Sequence, residues 1–421
     1  MVCSPRSIDE CRLSLKRFHY GFLSARMAEW VYLVTLNWMV LVLFKFASAV
    51  GVVNACRLIP VVLVSVPSGI LADRYSCRKL LSLIYLLAAL FTFGVGWALV
   101  TKASLTVLCV MVFLRELVAG MEPPARNLFL SELCPQELPR ALASNASVLN
   151  LGRVVGPSAA GYLLVHWNLP GIFAVASVGT ALCALSTFCQ PETECSSKRA
   201  STSDTGMKEA LSYVAAHPRL KLLIALMVAP MILAFPYLSM LPMFAKELIK
   251  CGPEGVGTLV SLTAVGSLVS SATIIGNSQR VLKGSFQVVT LLLFSASLLV
   301  GFLAPNFAVA ALAMFVAGGA SQAYRTVSRI LAQMGVPKKF QGRVVSLILM
   351  DRALIPVGTL LLGWWAEHFS LLSSGVLMAA GTAAATLALL VWKPALWAMS
   401  PVSDDASGLV VAGKVLTPGP A

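Results

Sequence analysis

Long apolar segments separated by short charged turns constrain the fold of this chain more than any other feature. The 421 residues are 58% hydrophobic and only 12% charged, with a mean hydropathy of +0.83. Soluble domains carry about 25% charged residues, so this chain cannot bury its apolar surface in a water-soluble core. A helix that spans a bilayer needs about 20 mostly apolar residues. Because lipid offers the backbone no hydrogen-bond partners, continuous apolar runs of this length predict helices and exclude a barrel.

Twelve segments meet this requirement, and a polar stretch separates the first six from the last six. The sequence therefore predicts an all-α membrane protein with twelve transmembrane helices in two pseudo-symmetric six-helix halves. The predicted spans are residues 20–44, 47–71, 80–101, 104–127, 141–165, 170–190, 220–245, 254–277, 285–303, 306–328, 343–366 and 371–393.

The predicted domain boundaries follow from these spans. They give a cytoplasmic tail at 1–17, an N-terminal half at 18–190, a cytoplasmic linker at 191–219, a C-terminal half at 220–393 and a disordered cytoplasmic tail at 394–421. The linker is rich in Ser and Thr, as flexible linkers are, and it ends in a short surface helix over 207–218.

The distribution of basic residues predicts the orientation. Most of the 32 Lys and Arg fall in the tails and in the loops on one side, Arg126 being counted among them. This asymmetry places that side, with both termini, in the cytoplasm. Nucleic-acid binding would need the bases on one soluble face, which no segment offers, so the net charge of +14 reflects topology.

One charged turn, Gly69 to Lys79, lies between the second and third spans. It resembles the loop signature G-x-L-A-D-R-x-x-R-K of the major facilitator superfamily. The resemblance implies a gating motif made of Gly69, Asp73, Arg74, Arg78 and Lys79. In it, Asp73 would contact the start of the eleventh span and close the cytoplasmic gate in the outward-open state. The corresponding loop of the second half, 276–280, lacks an acid, so the first half carries this role.

Further motifs narrow the resemblance to bacterial exporters that include the enterobactin exporter and macrolide-efflux-type permeases. These motifs are the segments 123–127, 132–135, 153–157, 235–242 and 341–347, together with Asp351, Arg352 and Pro356. The resemblance covers about residues 18–393. It implies the major facilitator fold in the bacterial inner membrane and a monomer that exports an amphipathic small molecule, such as a drug, a macrolide or a siderophore-like compound. The expected driving force is proton antiport, with no cofactor.

Ionisable residues inside the spans are the candidates for coupling or substrate binding. A charge at mid-bilayer costs about 2.5–3.5 kcal/mol on insertion scales, so such groups usually face a cavity or pair with each other. The candidates are Arg26, Glu29, Arg57, Arg115, Glu116, Glu122, Arg153, Asp351 and Arg352.

Glu29 is the acid placed nearest mid-membrane in the first span. Burial favours the neutral form of a carboxylate, which suits a proton carrier. Its spacing makes Arg26 a neighbour on the same helix face, so Glu29 is either a proton or cation site or one half of a permanent ion pair with Arg26 or with an Arg of another helix. Arg115 and Glu122 are two helical turns apart and are expected to share a face.

The remaining candidates are either functional or structural. The resemblance to other facilitators implies that Arg115 takes part in coupling or binds a substrate anion. Glu116 is a second possible coupling acid beside Arg115. The guanidinium groups of Arg57 and Arg153 either bind substrate or hold loops and helix ends by hydrogen bonds.

Small residues in the fifth span form the pattern G-x-x-x-G-P-x-x-x-G, which resembles a motif of exporters among the facilitators. The residues are Gly152, Gly156, Pro157 and Gly161. Small residues at this spacing let helices approach closely, and proline bends a helix. In the seventh span, Pro230, Pro236 and Pro242 predict kinks.

Other classes of function receive little support. The ten cysteines form no disulfide framework, no cysteine or histidine pair has metal-ligand spacing, and no Walker-type loop indicates ATP coupling. An intramembrane enzyme would need a catalytic array that the sequence lacks. An importer or lipid flippase of the same fold remains an alternative, and so does a non-transporting membrane sensor.

Overall fold

The computed structural model describes residues 8–191, 217–276, 281–333 and 354–398. Within these ranges fifteen helices follow one another in the chain. They are α1 (Ile8–Phe44), α2 (Ala47–Arg74), α3 (Cys77–Val100), α4 (Leu105–Ala119), α5 (Glu122–Leu133), α6 (Leu138–His166), α7 (Leu169–Phe188), α8 (Pro218–Leu233), α9 (Tyr237–Glu247), α10 (Pro253–Gly276), α11 (Gly284–Phe302), α12 (Phe307–Gln333), α13 (Leu354–His368), α14 (Leu371–Trp392) and α15 (Ala395–Ala398).

The helices form twelve transmembrane spans, because α4 with α5 and α8 with α9 each make one interrupted span and α15 is a single turn. Nine stretches within the described ranges are each long and apolar enough to cross a bilayer. The second, fourth and eleventh spans fall below that length or composition in the described residues. The predicted fold class, two six-helix halves of an all-α membrane protein, is confirmed.

The fourth span is interrupted where the sequence predicted one continuous helix over 104–127. Helix α4 ends at Ala119 and α5 begins at Glu122, with Pro123 and Pro124 in its first turn. Proline lacks the N–H that would continue the α4 ladder, but it is well accommodated at a helix start. The break turns Glu122 into the first residue of a new helix.

The seventh span is interrupted in the same way. Helix α8 ends at Leu233, α9 begins at Tyr237, and Pro236 lies in the break. The amide of Phe235 bonds the carbonyl of Pro230 at 2.9 Å, which closes the last turn of α8. The predicted kink is therefore a full interruption.

Helix α1 has 37 residues and begins well before the predicted span, inside the segment assigned to the cytoplasmic tail. Its first turns carry a stripe of apolar side chains, Cys11, Leu15 and Phe18, that are buried against α5 residues including Phe129 and Leu133. The apolar partner explains why this polar-looking segment is helical. Most of the predicted surface helix, over 207–216, lies outside the described residues. The same is true of the first part of the predicted eleventh span, 343–353, and of residues 1–7 and 399–421.

Two cysteines correct the expectation that the chain holds no disulfide. Cys11 of α1 and Cys134 after α5 are joined as a disulfide, with their Cα atoms 5.6 Å apart. They are 123 residues apart in sequence, so spacing gave no sign of the pair. The packing of the first turns of α1 on the end of α5 brings them together.

The two halves meet at the end of the helices that is predicted to lie outside. Ser158 of α6 and Ser261 of α10 share a hydrogen bond of 2.8 Å between their hydroxyls. Close to them, a Cβ on Gly257 would lie 2.3 Å from the carbonyl oxygen of Pro157, so the backbones are in contact. On the other side of the molecule, Gly51 of α2 lies against the backbone of Thr359 in α13.

Candidate functional site

A buried arginine with two glutamates lies between the first and fourth spans, in the N-terminal half. Arg115 of α4 is only 1% exposed. Its guanidinium donates to Glu29 of α1 at 2.9 Å through Nη1 and again through Nη2, and to Glu116 at 2.7 Å. Its Nε donates to the Thr92 hydroxyl at 3.4 Å, and the Tyr32 ring lies 4.2 Å from its central carbon. We call Glu29, Arg115 and Glu116 the acid–arginine triad.

The triad alone carries a net negative charge, because two carboxylates share one guanidinium. Arg57 of α2 compensates, since it interacts electrostatically with both Glu29 and Glu116. The side chains of the triad differ in exposure. That of Glu29 is 28% exposed, that of Glu116 is 9% exposed and that of Arg115 is 2% exposed. Glu29 is therefore the least enclosed member of the triad.

A second buried cluster lies at the break in the fourth span. Glu122, 5% exposed, accepts a hydrogen bond of 2.9 Å from the Tyr85 hydroxyl. It also accepts from Arg126, one turn further along α5, and lies 4.0 Å from Arg26 of α1. Both guanidinium groups stack near the Phe22 ring, at 5.1 Å for Arg26 and 4.9 Å for Arg126. This cluster holds two positive charges and one negative charge.

The ion-pair partners of Glu29 and Arg26 differ from those that helix spacing predicted. Glu29 forms its ion pair with Arg115 of α4, and the ion pair of Arg26 is with Glu122. Arg115 and Glu122, which were expected to share a helix face, both lie buried and both pair with α1, one on each side of the break. The ion pair of Glu29 is thus with an Arg of another helix, and its role as a proton or cation site stays a prediction.

Sequence reasoning missed Arg126, which it counted among the cytoplasmic bases. The side chain is buried and paired with Glu122 inside the helix bundle. The signal was present as an acid and a base four residues apart, which is the spacing of neighbours on a helix face. Tyr32, Thr92 and Tyr85 were missed as well, since the polar partner of a buried aromatic or hydroxyl is visible only once the helices are packed.

A cavity of about 170 Å³ lies between the two halves. Its lining comes from α1 and α2 on one side and from α9 and α10 on the other, and Arg57 is its charged residue. The lining residues are Trp30, Leu33, Val34, Asn37, Arg57, Leu238, Ser239, Pro242, Val256 and Val260. Most of this surface is apolar, with one guanidinium, one amide and one hydroxyl, which is the usual pattern of a site for an amphipathic ligand.

Arg153 of α6 is half-buried and faces the C-terminal half. It interacts electrostatically with the hydroxyl of Tyr237, and so does Arg325 of α12. Tyr237 itself is 1% exposed. Arg153 therefore belongs to the region between the halves rather than to a loop.

Of the predicted gating motif, the structure describes the later part. Arg78 donates to the carbonyls of Phe188 at 3.2 Å and Gln190 at 2.7 Å, where a cation suits the carboxyl end of α7. Lys79 is exposed. The side chains of Asp73 and Arg74, the surroundings of Gly69, and the residues Asp351 and Arg352 lie outside the described part, so the gate remains a prediction.

The glycines of the fifth span serve two interfaces. A Cβ on Gly152 would meet Arg26, and one on Gly156 would meet Trp30, so this face of α6 packs tightly on α1. A Cβ on Gly161 would meet the backbone of Pro253 at the start of α10. The motif lets α6 approach α1 within its own half and α10 across the boundary between halves.

Two six-helix halves that close on one end around a small cavity, with charged groups buried beside it, define a membrane carrier of the alternating-access class. The chain belongs to the Major Facilitator Superfamily, whose family model matches residues 19–355. It is a multi-pass membrane transporter.

Two curated relatives match most of its length. The Staphyloferrin A transporter of Staphylococcus aureus is 25% identical over 371 residues, which cover 86% of this chain and 91% of the relative. Macrolide efflux protein A of Streptococcus pyogenes is 22% identical over 330 residues, which cover 74% and 80%.

Solved structures show the same fold at low identity. A bacterial homolog of the human lysosomal transporter Spinster, in an inward-facing and unoccupied conformation, matches with a TM-score of 0.72 at 15% identity, over 93% of this chain and 97% of that one. The nucleoside transporter NupG matches with a TM-score of 0.72 at 15% identity, over 90% and 98%.

Proposed function

We propose that this transporter exports an amphipathic small molecule in exchange for protons. The acid–arginine triad is the observation that carries the proposal. A carboxylate inside a membrane protein is costly unless it is used or permanently neutralised, and Glu29 is only partly enclosed. The relatives named for macrolide efflux and for staphyloferrin A support a small organic cargo.

The proton step uses the two carboxylates that share Arg115. When Glu29 takes up a proton, it gives up its two charged hydrogen bonds from Arg115, which keeps its bond to Glu116. Arg115 then pairs with Glu116 alone, and Arg57 loses one of the two carboxylates that offset its charge. The contact that weakens is the one between α1 and α4, so protonation changes how these two helices are held together. The carrier acts as a monomer, since both halves lie in one chain.

Alternating access then requires the contacts at the predicted outer end to open. The Ser158–Ser261 hydrogen bond and the packing of Gly51 on Thr359 hold the halves together in this conformation. Opening toward the outside would separate α6 from α10 and α2 from α13. An importer or lipid flippase would use the same movements, so the direction of transport must be measured.

The test uses proteoliposomes with an imposed pH gradient and a pH-sensitive dye inside. Amphipathic compounds that stabilise the purified protein, with erythromycin among those screened, are added to one side. We expect the wild-type protein to carry protons across the membrane in one direction as the compound moves in the other. Glu29→Gln should bind the compound without this exchange. Gel filtration checks that the variant is folded.

Glu367→Gln is the matched control, because Glu367 is exposed at the end of α13, away from the triad. It should behave like the wild type. A folded Glu29→Gln protein that still exchanges protons normally would overturn the role of Glu29. Compound movement that ignores the gradient in the wild-type protein would overturn antiport itself.

A further inference from the structure

A second cavity lies at the end of the bundle that is predicted to face the cytoplasm. It has a volume of about 580 Å³ and lies between α1 and α6. Its polar lining is predominantly basic. The lining residues are Arg12, Leu13, Leu15, Lys16, His19, Arg140 and Ser144. None of them is an acid.

One face of α1 connects this cavity with the smaller one between the halves. Residues at spacings of three and four lie above one another on a helix. Arg12, Lys16 and His19 follow this spacing, and Arg26 lies two turns further along the same face; we call these four residues the cationic stripe. The same face continues through Trp30 to Asn37, and both of these residues line the smaller cavity. Helix α6 runs alongside, because Gly152 and Gly156 pack against the stretch from Arg26 to Trp30.

The acids that form ion pairs with the cationic stripe, Glu137 and Glu122, are already neutralised. Glu137 is bound by Arg12 at 2.8 Å and by Arg140 at 3.4 Å. Glu122 is shared in the same way by Arg26 and Arg126. Each acid therefore meets two guanidinium groups, and the described part of the path carries an excess of positive charge.

Arg57 stands at the inner end of the path. Its Nε is buried and has no hydrogen-bond partner among the described residues. The lining of its cavity contains no carboxylate, and the nearest ones, Glu29 and Glu116, are bonded to Arg115. A guanidinium has five N–H donors in a planar fork that matches a carboxylate or phosphate. A buried donor without an acceptor is costly, so the geometry suits an anion supplied by a ligand.

We infer that the transported molecule is an organic anion, whose carboxylate or other oxyanion group is attracted along the cationic stripe and bound by Arg57. Its apolar part lies against Trp30, Leu238 and Val256. The cavity of about 170 Å³ is small beside the 300–1,000 Å³ typical of ligand sites. It therefore accommodates the anionic head group and the adjoining apolar atoms of a larger molecule. An interior-negative membrane potential favours the exit of such an anion, in keeping with export.

Only the direction of movement in this inference depends on the proposed function. Binding of the anion to Arg57 is an equilibrium property of the full chain. It can therefore be measured without a gradient, and the two proposals can fail separately.

The experiment measures thermal stabilisation of the full-length protein in nanodiscs of zwitterionic lipid. The probes share one ring system and differ in charge: 1-pyrenebutyric acid, its methyl ester, and 4-(1-pyrenyl)butylamine. We expect the acid to stabilise the protein and the ester and amine to do so weakly or not at all. Because charged hydrogen bonds are lost, Arg57→Gln should weaken acid binding by about tenfold or more. Arg17→Gln is the control, since Arg17 is an exposed base on α1 outside both cavities.

A readout on the wild-type protein keeps the test valid if Arg57→Gln does not fold. Acid binding should weaken as salt is raised, because salt screens the attraction of the stripe, whereas any ester binding should not. Three results would each overturn the inference. The amine or the ester could stabilise the protein as much as the acid does, or the acid could fail to stabilise it. A folded Arg57→Gln protein could also bind the acid as well as the wild type does. Acid binding without proton exchange in the proteoliposomes would instead overturn the proposed antiport and leave the inference standing.

Discussion

Arg115 of α4 binds both carboxylate oxygens of Glu29 in α1, through its Nη1 at 2.9 Å and through its Nη2. This two-pronged pair is the strong, directional form of an arginine–carboxylate contact. It joins the first and fourth spans at a point where Arg115 has almost no contact with solvent. The stability of the N-terminal half should therefore depend on it.

Replacing Arg115 by Met should destabilise the protein by about 3–5 kcal/mol, because two buried carboxylates lose their shared partner. Thermal and chemical unfolding of the purified protein in detergent would measure the loss. The double variant Arg115→Met with Glu29→Gln removes one of the two stranded charges and should recover part of it. Equal stability of the single and double variants would show that Glu29 and Arg115 do not act as a pair.

A disulfide between Ser158→Cys and Ser261→Cys should form readily and lock the outer end closed. The wild-type hydroxyls are 2.8 Å apart and belong to different halves. After cleavage at a protease site inserted in the linker 191–219, the halves should stay together on a non-reducing gel only in the double variant. Transport should stop on oxidation and return on reduction. The single variants are the controls, and full transport by the cross-linked protein would contradict the assignment of α6 and α10 to the gate.

Thiol labelling should test the predicted orientation. Cys251, between α9 and α10, is predicted to be outside, whereas Cys189 is exposed at the end of α7 on the predicted cytoplasmic side. In intact cells a membrane-impermeant reagent should modify Cys251 but not Cys189 or Cys195. Cys134 is held in the disulfide with Cys11 and Cys77 is buried, so neither reports the orientation. Burial raises the pKa of Cys251, so less thiolate is present at neutral pH and labelling should accelerate as the pH is raised. Labelling of Cys189 in intact cells would reverse the orientation.

The beginning of α1 should respond to acid through Glu137. The hydrogen bond from Arg12 is the main cause that lowers the pKa of this glutamate. A lowered pKa means that the contact stabilises α1 at pH values above the ordinary carboxyl range and is lost as the pH falls through the lowered value. A spin label at position 14 should therefore become more mobile in acid. The change should be small, since exposed ion pairs contribute little.

Arg12→Gln should make the label at position 14 equally mobile across this pH range, and Arg17→Gln should leave the transition in place. An acid transition that persists in Arg12→Gln would assign the pH dependence to another group.

The fold could be predicted because apolar length and charge asymmetry are properties of consecutive residues. The glycine spacing of the fifth span likewise indicated close helix packing. The partners inside the bundle could not be predicted, since Glu29 and Arg115 are 86 residues apart and meet only through the packing of α1 on α4. Arg126 was counted with the cytoplasmic bases because it lies in the last turn of the predicted span 104–127, where the sequence does not show that its side chain is buried. The disulfide between Cys11 and Cys134 depends on the same kind of distant contact.

The interruption between α4 and α5 gives the fourth span two segments that α1 holds separately. Arg115 attaches the segment on one side of the break to Glu29, and Glu122 attaches the segment on the other side to Arg26. The prolines at the start of α5 leave the joint between the segments without a continuous ladder of backbone hydrogen bonds. Helix α1 can therefore release one segment while it keeps the other. We expect loss of the Glu29 contact to loosen α4 about this joint, while the contact of Glu122 with Arg26 keeps α5 in place.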